Sequence, residues 1–334
     1  MIAVWIVVFI ASLIALVKGS DWLLSSAEKV GLSIGLSPFI IGVTIIALGT
    51  SFPEFVYSLA AVSRGVDEVV VANAVGSNVA NLLLVVGITA VIARRVMVRK
   101  NLINIDLPLL AASTALFLMV VLDREVTLFE ALLLLLAYAV YVLYTIFEKE
   151  NRELEEVSEA ITGKDEGAGE EEAEQHEEGA EKRGERLSLK MFFPLALGIA
   201  ALYFGSTYLI ESVVKLSELL DIGVSVITIT AVAIGTSLPE LVVSVRAVRK
   251  DKPSLALGNI MGSCIFNLLV VVGVSALFTR LGLDDKTFSI ALPAMVVATV
   301  LFVIAGISRR IHIWEGSIFL IIYLLFIAKL FSLF

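Results

Sequence analysis

Histidine and cysteine are almost absent from this sequence: it has two of the first and one of the second. His176 lies in a glutamate-rich stretch and His312 beside an apolar run. Neither has a Cys or His neighbour at ligand spacing, so zinc-type chemistry has no support. The lone Cys264 can form no intramolecular disulfide and says little about redox compartment. Charged residues are only 17% of the chain, and no nucleophile–base pair or metal triad stands out, which leaves an enzyme without a mechanism. The amino terminus, MIAVWIVVFIASLIALVKG, lacks the positive leading region and small-residue cleavage site of a secretory signal. Its first basic residue, Lys18, follows the apolar run, and we read residues 2–18 as a retained transmembrane helix.

What fills the chain is apolar side chain. Hydrophobic residues are 58% of the 334, above the roughly 45–50% of soluble domains, and the mean hydropathy is +0.96. Apolar runs fall at about 2–18, 37–62, 70–92, 103–121 and 127–147, then at about 192–212, 223–247, 256–279, 287–306 and 312–333. Several approach the ~20 residues that cross a hydrocarbon core. The expected fold is therefore an all-α integral membrane protein bathed in lipid, with five helices in each of two halves (1–147 and 191–334). Water-soluble enzyme and nucleic-acid-binding classes are disfavoured. Between the halves, 148–190 is acidic: 148–186 holds sixteen Asp/Glu against six Lys/Arg, so the net charge of −8 belongs to this segment. With few aliphatic and no aromatic residues it reads as a flexible connector, and no EF-hand spacing appears in it.

The halves repeat each other. GSDWLL at Gly19 matches GSTYLI at Gly205, ALGTSFPE matches AIGTSLPE, and ANAVGSNVANLLLVVG matches GNIMGSCIFNLLVVVG, all offset by 186 residues. Later pairs, LPLLAAS with LPAMVVA and FEALLLL with WEGSIFL, are offset by 185. Five helices per half is an odd number, so the second copy must enter from the opposite side, as an inverted repeat. Twelve Lys/Arg outside the connector fall on one side of such a layout and six on the other. The excess of positive charge marks the cytoplasm and puts both termini outside and the connector inside a cell membrane. Inverted repeats with interrupted helices are the pattern of secondary transporters, whose sites lie near mid-bilayer.

Two glutamates lie deep in apolar runs, Glu54 and Glu240, at equivalent places in the repeat. A charge there costs at least a few kcal/mol, and intramembrane acids mark ion paths. No basic residue accompanies them in the spans, so protons or a bound cation must supply the compensating charge. Pro53 and Pro239 precede them. Each lacks an N–H and frees the carbonyl four residues back, so we expect broken helices with loosened carbonyls at 47–50 and 233–236. Thr50, Glu54 and Ser58 share one helical face, as do Thr236, Glu240 and Ser244. In the next helix of each half, Asn73, Ser77 and Asn81, and Asn259, Ser263 and Asn267, form further polar stripes. Small polar residues also serve helix packing in membranes, and Gly76–Ser77 and Gly262–Ser263 suit both roles.

Carboxylates, amides, hydroxyls and carbonyls make an all-oxygen site, which suits hard cations. Calcium accepts six to eight oxygens in flexible geometry, whereas magnesium prefers a small octahedron. Two ionised glutamates neutralise one Ca²⁺, two Na⁺ or two H⁺. An antiporter fits these groups, exchanging Na⁺ or H⁺ for Ca²⁺, and a passive cation channel trails because the inverted repeat and paired broken helices disfavour it. No cofactor and no obligatory protein partner is evident.

GTSFPE with GSNVAN, repeated as GTSLPE with GSCIFN, resembles the sodium/calcium exchanger family of the cation/calcium antiporters. The resemblance implies ten helices, a central site between the second, third, seventh and eighth, and alternating access in which the first helix of each half (about 2–30 and 192–217) slides. By this likeness Glu54 and Glu240 bind calcium with backbone carbonyls of Thr50 and Thr236. Sodium uses the same glutamates with Ala47, Ser51 and Ser77, and with Ala233, Ser237 and Ser263. Asn81 and Asn267 complete the centre. Some prokaryotic relatives carry Asp at the position of Asn267, so this site has one ionisable group fewer. Proton/calcium relatives typically show Asn in place of the motif's Thr; Thr in both copies argues for sodium.

Overall fold

The computed structural model describes residues 2–33, 49–97, 106–162, 189–249 and 253–333. These are helical apart from turns and two small ribbons. In chain order the first half contains α1 (Ile2–Ser33), α2 (Phe52–Ser63), α3 (Glu68–Ala93), β1 (Arg95–Met97), α4 (Leu107–Val120), β2 (Glu125–Val126) and α5 (Leu128–Thr162). The second half contains α6 (Leu189–Leu220), α7 (Val224–Arg249), α8 (253–276), β3 (Leu281–Gly282), α9 (Thr287–Ile307), β4 (Arg310–His312) and α10 (Ile313–Leu330). Among the described residues, eight helices are long and apolar enough to cross a membrane: α1, α3 and α5 to α10. The 14 residues of α4 rise only about 21 Å at 1.5 Å each. The run expected at 37–62 is described only from Gly49 onward, and Ala47 lies outside the described residues.

Burial runs opposite to that of a water-soluble bundle. The outer helices show large apolar side chains to their surroundings, among them Val7 and Ile14 on α1, Leu136 and Leu143 on α5, and Ile321 and Leu324 on α10. Lipid is as apolar as leucine, so such faces need no protein cover. The centre is α3 and α8, buried along most of their length although rich in Asn, Ser and Gly.

The ribbons mark the two ends of this core. β1 pairs antiparallel with β4, with Val96 opposite Ile311; β2 pairs antiparallel with β3, with Val126 opposite Leu281. These four inward residues are buried and close the ends of the bundle. At its start α3 touches the β2–β3 ribbon, where the Gly282 N–H donates to the Asp67 carboxylate at 3.3 Å, and it leads into β1 at its end. Its repeat partner α8 instead ends at β3. The two equivalent helices therefore run in opposite directions between the ribbons.

Glycine decides the crossing of α1 and α6. A Cβ on Gly205 of α6 would lie 2.9 Å from the Leu16 nitrogen of α1, and one on Gly19 of α1 would lie 3.0 Å from the Gly198 carbonyl of α6. Only the missing side chains let these backbones touch.

The acidic stretch differs from expectation at its start. Residues 148–162 continue α5 as helix, because Glu, Lys, Arg, Leu and Ala are strong helix formers and no glycine intervenes before Gly163. The rest of the connector, 163–188, lies outside the described residues.

Candidate functional site

The breaks expected beside the two prolines are present and alike. Ser51 has φ −89°, ψ 8° and caps α2; Ser237 has φ −82°, ψ 6° and interrupts α7. Both sit in the sparsely used bridge region. Each proline then falls in the first turn of the following helix, where its missing N–H costs nothing. This geometry turns each break serine across the interface between the halves. The Ser51 hydroxyl donates to Glu240 Oε1 at 3.1 Å, and the Ser237 hydroxyl donates to Glu54 Oε1 at 3.3 Å. Thus each glutamate is held by the other half's serine. Both glutamates are fully buried, and Oε2 of each has no hydrogen-bond partner among the described residues.

The loosening is narrower than the sequence implies. The Ala233 carbonyl stays in helical bonding, accepting from the Ser237 N–H at 3.1 Å and from the Thr236 hydroxyl at 3.4 Å. These two bonds engage both of that carbonyl's lone pairs, the longer one coming from a hydroxyl that also bonds Val232. Before the break, residues 228–232 form a π-helical turn.

The threonines differ. Thr236 donates back to its own helix, to the Val232 carbonyl at 3.1 Å. Thr50 instead reaches the second half. It donates to Asn259 Oδ1 at 3.2 Å and shares a 3.3 Å hydrogen bond with the Ser263 hydroxyl. Asn73 supports the first glutamate from α3, donating to the Glu54 carbonyl at 3.5 Å and the Ser58 hydroxyl at 3.4 Å.

Asn81 and Asn267 open π-helical stretches, at 80–85 in α3 and 267–271 in α8. Such turns widen a helix and recur at functional sites. Ser77, Asn81, Ser263 and Asn267 are all buried, and among the described residues Ser77 Oγ, both amide atoms of Asn81 and Asn267 Oδ1 have no hydrogen-bond partner. An unpaired buried acceptor costs about 1–3 kcal/mol. Several of them, together with two unpartnered carboxylate oxygens on the same four helices, are what a dehydrated cation would satisfy. Sequence periodicity passes over Asn78, which lies one residue off the polar stripe. It is buried, and it joins α3 to α8 by donating to the Cys264 carbonyl at 3.1 Å while accepting from the Asn267 amide at 3.3 Å.

Known proteins place this arrangement. A family model described as sodium/calcium exchanger protein matches residues 4–147 and 190–331, leaving out the acidic stretch. The sodium/calcium exchanger MaX1 of Methanosarcina acetivorans is 32% identical over 99% of this chain and 99% of its own length. The inner membrane protein YrbG of Escherichia coli is 30% identical over 88% of this chain and 86% of its own. Among solved structures, the sodium-calcium exchanger NCX_Mj is matched over 98% of this chain and 99% of that one, at 26% identity and a TM-score of 0.63. The class is thus a multi-pass membrane transporter of the cation/calcium antiporter type. The chain belongs to the sodium/calcium exchanger family.

Proposed function

We propose that this protein exchanges Na⁺ for Ca²⁺ across the cell membrane by alternating access at the site between α2, α3, α7 and α8. The observation that carries this reading is the reciprocal pair: two buried glutamates, each held by the other half's serine and each with a carboxylate oxygen unpartnered. Two carboxylates neutralise one Ca²⁺ or two Na⁺, so the ions compete for the same oxygens. The ligands would come from Glu54, Glu240, Ser51, Ser237, Ser77, Ser263, Asn81 and Asn267, with carbonyls of Ala47, Thr50, Ala233 and Thr236.

Ten crossings in two inverted repeats complete the reading. The opposite directions of α3 and α8 support the inversion, as does the exchange of ribbons by equivalent strands, β1 in one and β3 in the other. The glycine-tight crossing of α1 and α6 supports a pair that slides as one body past the site. Charge supports an orientation. At the β2–β3 ribbon Arg124 pairs with Asp285 at 2.6 Å and Arg280 with Glu125 at 3.1 Å. Exposed Arg94, Arg309 and Arg310, flanking the β1–β4 ribbon, make no ion pair among the described residues. Clustered arginine belongs on the cytoplasmic side, which supports an orientation with both termini outside.

The test is calcium uptake into proteoliposomes under an imposed sodium gradient with pH clamped. We expect uptake that follows the sodium gradient and responds to membrane voltage if more than two Na⁺ exchange per Ca²⁺. Uptake that ignores sodium and follows a pH gradient would assign protons as the counter-ion instead. Flux without any counter-ion coupling would identify a channel.

A further inference from the structure

The two carboxamides of the centre occupy equivalent places in the repeat, yet their surroundings differ. We propose that Asn78 is a positioning residue that fixes the direction of the Asn267 carboxamide, so that the second half contributes an oriented carbonyl oxygen and the first half a free amide. This inference rests on the cation-site reading above.

The direction is set by a relay of hydrogen bonds that starts at backbone. The Cys264 carbonyl can only accept, so the Asn78 group 3.1 Å from it must be the amide nitrogen. The Asn78 Oδ1 then faces Asn267, and only the Asn267 nitrogen can donate to it, at 3.3 Å. Asn267 Oδ1 is thereby left, in a buried setting, without a partner among the described residues. Flipping either amide would set two carbonyls or two NH₂ groups against each other. At Asn81 no such relay exists among the described residues: neither amide atom has a hydrogen-bond partner, and the group it meets is the Cys264 thiol. One residue accounts for the difference. The repeat partner of Asn78 is Cys264, 186 positions on, and a thiol is a weak donor and weak acceptor. It cannot pin Asn81 as Asn78 pins Asn267.

A carboxamide with its NH₂ engaged and its oxygen free presents the negative end of its dipole, which suits a cation. Released, it can turn its NH₂ towards the site. The interaction scales with ionic charge, so Ca²⁺ should lose more than Na⁺.

The experiment uses the full chain in proteoliposomes, with calcium-binding isotherms on the same purified protein. The wild type must bind calcium, and Glu54→Gln must not; failure there overturns the cation-site reading itself. Given that, Asn78→Ala should raise the half-saturating calcium concentration about tenfold, the loss of one good hydrogen-bonded contact to a charge, with smaller changes in the sodium requirement and in maximal rate. Asn78→Ala added to Asn267→Ala should cost little more than Asn267→Ala alone. The exchanged pair, Asn78→Cys with Cys264→Asn, should recover calcium affinity by pinning Asn81 instead. In the wild type Asn267→Ala should be more damaging than Asn81→Ala, and in the exchanged background the order should reverse. Unchanged calcium affinity in Asn78→Ala, additivity with Asn267→Ala, or an order that does not reverse would each overturn the proposal while leaving the cation site standing. Calcium binding to detergent-solubilised protein decides the same points for any variant too unstable to reconstitute.

Discussion

The two halves of the centre carry matching motifs but do not match in space. At the breaks they are alike: Ser51 and Ser237 adopt the same backbone angles and reach the opposite glutamate in the same way. One residue away they part. Thr50 bridges to Asn259 and Ser263, whereas Thr236 bonds its own helix. Asn73 holds Ser58, whereas the equivalent Ser244 hydroxyl and Asn259 amide nitrogen have no partner among the described residues. A duplicated sequence thus supplies equal parts, and the packing of one half against the other decides how each part is used. Under the alternating access proposed above, the two sides must differ in any single conformation, as they do here.

The largest effects should fall where the halves agree. Glu54→Gln and Glu240→Gln should each abolish calcium exchange, by at least about 100-fold, since each removes a buried charge that a cation must meet. Residual exchange in only one of the pair would show that the glutamates are not equivalent. Next come the crossing glycines. Gly205→Val and Gly19→Val should both destabilise the protein by about 1–3 kcal/mol through overpacking, seen as earlier thermal unfolding in detergent. Unequal shifts would place the tighter contact on one side of the α1–α6 crossing.

The threonines test where the halves differ. Thr50→Val removes a hydroxyl that ties the halves together and should weaken calcium binding roughly tenfold, the worth of about 1.4 kcal/mol. Thr236→Val removes only a bond to its own helix and should cost about threefold or less. Equal losses would erase the asymmetry. The smallest effect belongs to the ribbons. Asp285→Ala leaves Arg124 unpaired, but the pair is exposed, so the stability change should be below ~1 kcal/mol and should fade in high salt.

Much of the site is legible in the amino-acid order. The two carboxylates stand out because a charge in an apolar run is costly, and the neighbouring prolines locate the breaks because a missing N–H is a covalent fact. Other features are not legible there. Asn78 is hidden because helical periodicity favours positions four apart, and its value comes from a partner 186 residues away. The break at 233–236 is narrower than expected, because the Ser237 N–H still closes a helical turn onto Ala233. The helix running through 148–162 is masked by charge, since acidic composition argues for disorder while local propensity favours helix.

The order of residues alone sets the membrane class, the duplication, the charged pair and the oxygen-only chemistry. These follow from composition, covalent structure and short spacings, and they hold whatever the neighbours do. Which serine holds which glutamate, which threonine bridges and which carboxamide is pinned are settled only when the halves pack together. Those choices depend on groups nearly two hundred positions apart meeting at about 3 Å. A hydrogen bond's direction is set by the partner it finds, and no local pattern specifies that partner.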